Sequence, residues 1–318
     1  MQSKTAIAPP LLRESLPELS RAGKLAQMAV VVQEAITQQP LIWQGRHSFV
    51  HQFDWTLAPY SGCQMGCGYC YVPEILFRLP DKLGGWGNYV HVRSRSVELL
   101  ARQLDEMDGT SGFVSATTDP YQKVEGQYRL TRQLLEKLID SRVGFVLIST
   151  RGTLVLRDLD ILSDARMKGR IEVGISIPSD LGQVHAALEP YTPAFKGRFA
   201  VARKLRDAGV PVRIHAAPLA LSTPDFFRAA ADAADWLWVD KAEHKVEEDL
   251  VKAPWLYREQ EVLHLVEEAK ACAQLGALRV GYGRDQFGWR WHTGQGCIVP
   301  PPPRVRWPKE RAKGKPHG

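Results

Sequence analysis

Short apolar runs alternate with amphipathic segments through the middle of the chain. Six of these runs are bounded by turn residues and have the length and the Val, Ile and aromatic content of β-strands. They cover residues 49–57, 112–116, 143–149, 171–177, 210–216 and 236–239. Between them, apolar residues recur every three or four positions, as in Leu130, Leu134 and Leu138, which is typical of helices with one buried face. The pattern therefore predicts strands that alternate with helices.

This alternation favours a parallel α/β fold. A strand followed by a helix and a second strand normally makes a right-handed crossover to a parallel neighbour. Six such units in series predict a curved, partly closed barrel, that is, a partial (β/α)6 barrel. A doubly wound open sheet also fits the pattern, although no G-x-G-x-x-G or P-loop sequence follows any run. In both folds ligands bind beyond the carboxyl ends of the strands, so the chemistry should lie directly after each strand.

The rest of the chain is expected to surround this barrel. At 318 residues with 44% apolar content, the chain can bury one large core. A helix at about 258–275 and a short apolar run at 277–282 would close the domain. The expected organisation is an N-terminal extension with one amphipathic helix (1–45), the partial barrel (46–245), a C-terminal helix and cap (246–296), and a Pro-rich basic tail (297–318).

The composition bears on whether the chain is secreted, membrane-bound or cytoplasmic. No stretch approaches the roughly 18 unbroken apolar residues that span a bilayer, and the N-terminus lacks a secretory pattern. We therefore expect a soluble, cytoplasmic monomer with no membrane partner. Much of the net charge of +6 comes from the C-terminal tail, which is either a polyanion-binding segment or a solvated, disordered end. Charge alone is weak support for a nucleic-acid partner.

Three of the five cysteines lie within eight residues, directly after the first predicted strand. Cys63, Cys67 and Cys70 form a glycine-rich C-x3-C-x2-C loop, whose backbone can wrap closely around an inorganic core. Three thiolates would bind three irons of a [4Fe–4S] cluster and leave the fourth iron open for the amino and carboxylate groups of S-adenosylmethionine (SAM). The alternative is a structural zinc site, which normally takes four protein ligands in paired motifs, and neither Cys272 nor Cys297 has such a pair.

The cysteine loop, with the aromatic Tyr69 before its third cysteine, resembles the cluster motif of the radical SAM superfamily. Two further segments narrow the resemblance. T-D-P-Y-Q-K-V-E at 118–125 and S-T-R-G-T-L-V-L-R-D-L-D at 149–160 are similar to segments of the spore photoproduct lyase-like branch, and the likeness covers about residues 55–220. It implies an enzyme that reductively cleaves SAM to a 5′-deoxyadenosyl radical, with electrons from an external donor of the flavodoxin or ferredoxin type.

The resemblance also implies contacts with SAM. Tyr69 would flank the adenine, and Thr118 would hydrogen-bond the amino group or the ribose. Arg151 stands where the branch has a lysine and would pair with the SAM carboxylate, with the hydroxyl of Ser176 on the same group. The alternative for Tyr69 is packing beside the cluster, and for Thr118 and Ser176 it is capping of the strand ends.

One departure from the branch bears on the chemistry. Spore photoproduct lyase carries, at the position of Ala116, a cysteine whose thiol returns a hydrogen atom to the product radical. Alanine has no comparably weak bond, so the thymine-dimer reaction is not expected to use the same relay. Two residues would replace the thiol: Tyr71, next to the third cysteine, and Cys297, in the segment expected to cap the barrel. The alternative for Cys297 is a buried or idle thiol.

Other polar residues near the strand ends favour a structural interpretation. Glu125 is expected to cap a helix, and Asp119 either caps a helix or receives a cofactor or substrate hydroxyl. Arg157 would pair with Asp158 and hold the fold. His215 ends the fifth predicted strand, and a lone histidine is more often a satisfied core residue than a functional one.

Three functions remain open at this point. The first is hydrogen abstraction from a nucleic acid, which the resemblance implies and the basic charge supports. The second is the same radical chemistry on a peptide or small metabolite, which Ala116 favours. The third is a non-catalytic metal-binding module whose tail recruits nucleic acid. Release of 5′-deoxyadenosine would separate the first two from the third.

Overall fold

The computed structural model describes residues 30–43, 53–75, 85–223, 225–240, 262, 265 and 279–282. Its strands are β1 (Val31–Glu34), β2 (Leu41–Trp43), β3 (Trp55–Leu57), β4 (Tyr60–Ser61), β5 (Tyr89–Val92), β6 (Ser111–Val114), β7 (Phe145–Thr150), β8 (Ile171–Ser176), β9 (Val212–Ala216), β10 (Trp236–Val239) and β11 (Arg279–Tyr282). Its helices are α1 (Val72–Ile75), α2 (Ser96–Ala101), α3 (Glu125–Tyr128), α4 (Leu130–Ile139), α5 (Leu159–Leu162), α6 (Gly182–Leu188), α7 (Phe195–Asp207) and α8 (Phe226–Ala233). Short 3₁₀ helices lie at Leu104–Met107, Thr153–Asp158 and Ala165–Met167.

The main sheet is parallel over most of its width. Its order is β11-β10-β9-β8-β7-β6-β3-β2, and all neighbours are parallel except β2 and β3. The six predicted strands are present as β3, β6, β7, β8, β9 and β10, which confirms the partial parallel barrel. The apolar run at 277–282 contributes β11, a further parallel strand beside β10.

The first strand of the barrel is shorter than its apolar run. β3 contains Trp55–Leu57, whereas the pattern predicts a strand over 49–57. Asp54 lies in a bend before it, and its carboxylate accepts hydrogen bonds from the backbone N–H and the hydroxyl of Ser111. Pro59 follows two residues after the strand, and proline has no N–H to continue a ladder. The other predicted strands begin and end within two residues of the observed ones.

The two faces of the main sheet differ in polarity, because successive side chains of a strand point to opposite faces. The apolar face packs against the helices and is formed by Val146, Ile148, Val173, Ile175, Val212 and Ile214. The opposite face, which is the interior of the barrel, carries Ser149, Glu172, Ser176, Arg213 and His215. Polar side chains at the carboxyl ends of these strands therefore face the place where a barrel binds its ligand.

A second, three-stranded sheet supports the cysteine loop. Its order is β1-β5-β4, with β1 parallel and β4 antiparallel to β5. The N-terminal extension supplies β1, so it contributes to the wall beside this loop. The helix expected within residues 1–45 lies outside the described residues, as do Cys297, the tail and most of 246–296. No helix in the described part is long and apolar enough to cross a bilayer.

Candidate functional site

The three cysteines lie in one loop that begins directly after β4. Cys63 and Cys67 are buried and Cys70 is half-buried. Gly62 has a φ of +83°, and a Cβ at this position would lie 2.5 Å from the carbonyl oxygen of Tyr89. Only glycine suits both this conformation and this close approach. The chain can therefore turn tightly before Cys63 and still pack against β5.

Burial makes the three thiols hard to ionise. Mainly because burial disfavours the thiolate, the pKa of each of Cys63, Cys67 and Cys70 is raised to about 12. Electrostatic repulsion between the thiolates adds a smaller rise to each pKa. Cys70 raises the pKa of Cys63, Cys63 raises that of Cys67, and Cys67 raises that of Cys70. The three sulfur atoms are therefore close enough to interact, and binding to iron would stabilise their thiolate forms.

These features fit an iron–sulfur cluster. Among the described residues, no three His, Cys, Asp or Glu side chains converge on a site for a single metal ion. A [4Fe–4S] cluster makes a different demand, because each thiolate binds a separate iron. The indole N–H of Trp86 donates a hydrogen bond to the sulfur of Cys70, and such bonds tune the potential of a cluster. Cys63, Cys67 and Cys70 would hold three irons, and the fourth would have no cysteine from this loop.

The T-D-P-Y-Q segment after β6 braces the cysteine loop. The hydroxyl of Thr118 donates to the carbonyl oxygen of Gly62 at 2.5 Å. The side-chain amide of buried Gln122 donates to Thr118 Oγ1 at 3.1 Å, and its Oε1 accepts from the backbone N–H of Gln64 at 2.8 Å. Thr118 thus fixes the residue before Cys63, which fits the structural alternative for this side chain. Its contact with SAM stays a prediction.

Asp119 joins the carboxyl ends of neighbouring strands. Its carboxylate accepts hydrogen bonds from the Thr150 hydroxyl at 2.6 Å, the Arg151 backbone N–H at 2.7 Å and the Tyr121 backbone N–H at 2.9 Å. Burial raises the pKa of Asp119, and these hydrogen bonds oppose the rise. The side chain therefore organises the segment from which Arg151 projects.

A buried ionic network lies beside Cys67. Arg151 follows β7, and it donates through Nε to Glu189 Oε1 at 2.9 Å and through Nη2 to the Tyr69 hydroxyl at 3.0 Å. The guanidinium also lies over the Tyr69 ring, 5.6 Å from its centre. The Tyr69 hydroxyl donates to Glu189, whose Oε1 is 4.0 Å from the Cys67 sulfur. Two of the predicted SAM contacts, Tyr69 and Arg151, are thus brought together next to Cys67.

Glu189 sets the charge of this network. It is fully buried, and Arg198 Nη2 donates to its second oxygen at 2.5 Å. Burial disfavours the ionised carboxylate, but Arg198 and Arg151 outweigh burial, and the pKa of Glu189 is lowered. Burial also opposes the charge of Arg151, but Cys67, Tyr69 and Glu189 raise its pKa well above the ordinary value. Two guanidinium groups therefore share one carboxylate, and the buried carboxylate of Asp119 also lies within electrostatic reach of Arg151.

Ser176 ends β8 and is joined to the same network. Its carbonyl oxygen accepts a hydrogen bond from Nη1 of Arg198 at 2.7 Å. Arg198 is only 1% exposed, and it links Ser176 to Glu189, which in turn contacts Arg151. The two residues predicted to hold the SAM carboxylate are thus connected through one buried ion pair.

Tyr71 reaches the position at which the resembling branch has a cysteine. Its hydroxyl donates to the carbonyl oxygen of Ala116 at 2.6 Å. A phenol is therefore held next to the backbone from which that thiol would project. The second predicted relay residue, Cys297, lies outside the described residues.

His215 is buried in the barrel interior. Its Nδ1 lies 3.1 Å from Ser149 Oγ, within hydrogen-bonding distance. Burial, followed by the positive charges of Arg213 and Arg151, lowers the pKa of His215 well below its ordinary value, so the imidazole is neutral. The sequence favours a satisfied core histidine. The ring is in the core, but its Nε2 has no hydrogen-bond partner in the part of the chain that is described.

Glu125 and Arg157 hold the fold, as their sequence positions predict. Glu125 is fully buried and accepts from the Thr131 backbone N–H at 3.0 Å and from Arg157 Nη2 at 2.6 Å. The predicted ion pair between Arg157 and Asp158 is present, with Nε and Oδ1 2.7 Å apart. These residues tie α3, α4 and the helix at 153–158 together.

Three residues of the site are not identified by sequence reasoning: Gln122, Glu189 and Arg198. Gln122 stands inside the T-D-P-Y-Q-K-V-E segment, but only the fold shows what it and Glu189 contact. For Arg198 one signal is available, because it occupies a position of the apolar stripe of α7, three residues after Phe195. A charged residue at such a position predicts a buried ion pair.

Comparison with known proteins agrees with this site. The sequence profile of the Radical SAM superfamily matches residues 57–221, which is more than half of the chain. An uncharacterized protein of Mycobacterium tuberculosis is 26% identical over 213 residues, which cover 64% of this chain and 62% of that protein. An uncharacterized protein of Methanocaldococcus jannaschii is 30% identical over 151 residues, which cover 48% of this chain and 54% of that protein. The chain thus spans less than two thirds of the length of these relatives.

Solved structures share the fold. A spore photoproduct lyase variant with bound AdoMet and dinucleoside spore photoproduct superposes with a TM-score of 0.51 and 20% identity, over 79% of this chain and 81% of that chain. A cysteine-to-serine variant of the same lyase gives a TM-score of 0.53 and 20% identity, over 86% and 88%. At this level of identity the likeness is one of architecture.

Proposed function

This chain belongs to the radical SAM superfamily of enzymes, and we propose that it holds a [4Fe–4S] cluster through Cys63, Cys67 and Cys70 and uses SAM to abstract hydrogen from a nucleic-acid substrate. One observation carries the proposal: three cysteines, two of them buried, lie in one loop beside the guanidinium of Arg151. When bound, the cluster and SAM would supply a 5′-deoxyadenosyl radical by one-electron cleavage. The electron would come from an external flavodoxin- or ferredoxin-type protein.

The residues around the loop are suited to hold SAM. Arg151 uses Nε and Nη2 within the protein, which leaves Nη1 without a partner among the described residues. This donor would receive the SAM carboxylate, with Ser176 as a second donor. The ring of Tyr69, 6% exposed, would pack beside the adenine. Thr118 would orient the amino group while its own hydroxyl braces Gly62.

Tyr71 is the proposed hydrogen-atom relay. The thiol of the lyase branch is absent at Ala116, and the Tyr71 hydroxyl is held 2.6 Å from the Ala116 carbonyl oxygen. The phenol can therefore reach the position that the missing thiol would occupy. Cys297 is retained as a second candidate relay, from a segment outside the described residues.

Nucleic acid is the proposed substrate class for three reasons. The chain carries a net charge of +6, which favours a polyanion. At the carboxyl ends of β7 and β9, the interior of the barrel presents two neutral polar side chains, Ser149 and His215. A lyase of the same architecture has been solved with a dinucleoside photoproduct. The alternative, a peptide or small metabolite, is favoured by Ala116, because the branch's thiol relay is missing.

Anaerobic reconstitution with iron and sulfide, followed by dithionite reduction in the presence of SAM, tests the radical chemistry. We expect the wild-type chain to release 5′-deoxyadenosine and a variant with all three loop cysteines changed to alanine to release none. A wild-type chain that binds iron but releases no 5′-deoxyadenosine would overturn the proposal and favour the non-catalytic metal-binding module.

Deuterium transfer tests the substrate class. Perdeuterated thymine-containing oligonucleotides, with and without ultraviolet damage, are compared with a deuterated peptide library. Mass spectrometry should find deuterium in 5′-deoxyadenosine only with the oligonucleotides. Transfer only from peptides would show that the radical chemistry is right and the nucleic-acid assignment is wrong.

A further inference from the structure

His215 occupies a position in the barrel that the proposed cofactor chemistry does not use. It stands opposite Ser176 in the register of β8 and β9, so it lies on the polar face beside a proposed SAM contact. The charge of Arg151 acts on the imidazole, which places the ring within electrostatic reach of the same site. A substrate whose hydrogen is abstracted must lie close to SAM, so this part of the interior is where a substrate contact is expected.

The surroundings of the imidazole are shaped to accept it. Gly174 lies on the neighbouring strand, and a Cβ there would approach the Cε1 atom of His215 to 2.7 Å. Glycine is therefore required for the ring to lie flat against β8. The hydroxyl of Ser149 lies 3.1 Å from Nδ1 and fixes that edge of the ring. β8 thus leaves space for the imidazole ring, and Ser149 of β7 orients it.

The opposite edge of the ring lacks a partner. His215 is 8% exposed, and its Nε2 makes no hydrogen bond within the described residues. A buried polar atom is rarely left unpaired, since its lost hydration must be replaced. Arg151 and Arg213 lie within electrostatic reach of the imidazole, and each is paired with a carboxylate, Glu189 and Glu172 respectively. A carbonyl oxygen would complete the hydrogen bonding of the ring, because it accepts from a neutral Nε2–H.

We propose that Nε2 of His215 donates a hydrogen bond to a base carbonyl oxygen of the nucleic-acid substrate, and that Ser149 accordingly donates to Nδ1. The inference rests on the proposed substrate class and adds a specificity-determining contact to it. His215 selects a nucleobase that carries a carbonyl at this position, while the phosphates are held elsewhere.

Binding of two dinucleotides tests this contact without any turnover. The probes are thymidylyl-thymidine and its analogue in which both bases are replaced by hydrogen, titrated anaerobically into the reconstituted chain. His215→Phe should weaken binding of the first probe about tenfold, the weight of one hydrogen bond, and leave binding of the base-free probe unchanged. His215→Gln, whose amide can reach the Nε2 position, should recover part of the loss.

Three outcomes overturn the inference. Equal weakening of both probes would show that the variant disturbs the site as a whole. Unchanged binding of thymidylyl-thymidine would show that Nε2 is served by water or by another part of the chain. A wild-type chain that binds neither probe would show that a nucleobase is not the ligand of His215. Release of 5′-deoxyadenosine by the same preparation would then show that the radical chemistry is right although the nucleic-acid substrate is wrong. Should His215→Phe fail to fold, Ser149→Ala, which releases Nδ1, should cause the same selective loss for thymidylyl-thymidine.

Discussion

Replacement of Glu189 by glutamine should destabilise the folded chain by about 3–5 kcal/mol, the typical effect of breaking a buried ion pair. Glutamine keeps the volume of the side chain, so the change removes charge rather than packing. Arg198, 1% exposed, and Arg151, with 22% of its side chain exposed, would be left without their shared carboxylate. The cost arises because water cannot reach the Arg198 guanidinium and reaches that of Arg151 only in part.

Urea unfolding followed by far-ultraviolet circular dichroism measures this effect. The free energy of unfolding is extrapolated linearly, and equal slopes for the two proteins show that the unfolded state is unchanged. For a domain of 150–250 residues, about 2–4 °C of melting temperature corresponds to each kcal/mol, so the melting temperature should fall by about 6–20 °C.

Glu98→Gln is the matched control. Glu98 also contacts two arginines, Arg95 and Arg102, but 46% of its side chain is exposed. Water and salt screen this surface pair, so its loss should leave the urea midpoint unchanged within error. If Glu189→Gln lost no more stability than Glu98→Gln, the network beside Cys67 would not be the buried charge cluster described above.

Three further predictions follow from the same contacts. The affinity of Arg151→Lys for SAM, measured by calorimetry, should lie within a few-fold of that of the wild type. Arg151→Ala should bind SAM about 10- to 100-fold more weakly, because a charge-assisted hydrogen bond is lost. Equal affinities of Arg151→Ala and the wild type would show that Arg151 does not bind the SAM carboxylate. Gly174→Ala should lower the free energy of unfolding by about 1–3 kcal/mol through overpacking against His215, whereas Gly126→Ala, whose Cβ would meet nothing within 4 Å, should not destabilise the chain. The pKa of His215 is lowered in the folded state, so the unfolded chain takes up a proton more readily, and stability present above about pH 6.5 is lost as the pH falls. His215→Gln should reduce this loss of unfolding free energy at acidic pH, measured by urea unfolding at several pH values. A loss as large as that of the wild type would show that other groups cause it.

The strands and the cysteine loop could be predicted from the sequence because their signals are local. Strand periodicity depends on neighbouring residues, and all six predicted strands appear in the main sheet. The spacing of Cys63, Cys67 and Cys70 encodes one loop around one inorganic group, whatever the rest of the chain does. The ion pair between Arg157 and Asp158 was similarly accessible, since its members are adjacent.

The partners of the site residues were decided by contacts between distant segments. Thr118 carries a family resemblance to a SAM ligand, but only the fold shows that it donates to Gly62, 56 positions away. Glu189 contacts Arg151 across 38 positions. The packing of β7, β8 and β9 leaves Nε2 of His215 without a hydrogen-bond partner among the described residues.

The sequence by itself thus determined the strands of the sheet and the loop in which a cluster is expected, because the signals for both extend over only a few residues. Only the tertiary structure decided which charges are neutralised inside the barrel and which polar atom lacks a hydrogen-bond partner among the described residues. Hydrogen-bond partnership and burial depend on atoms that the chain brings together over tens of residues, and no local pattern records them.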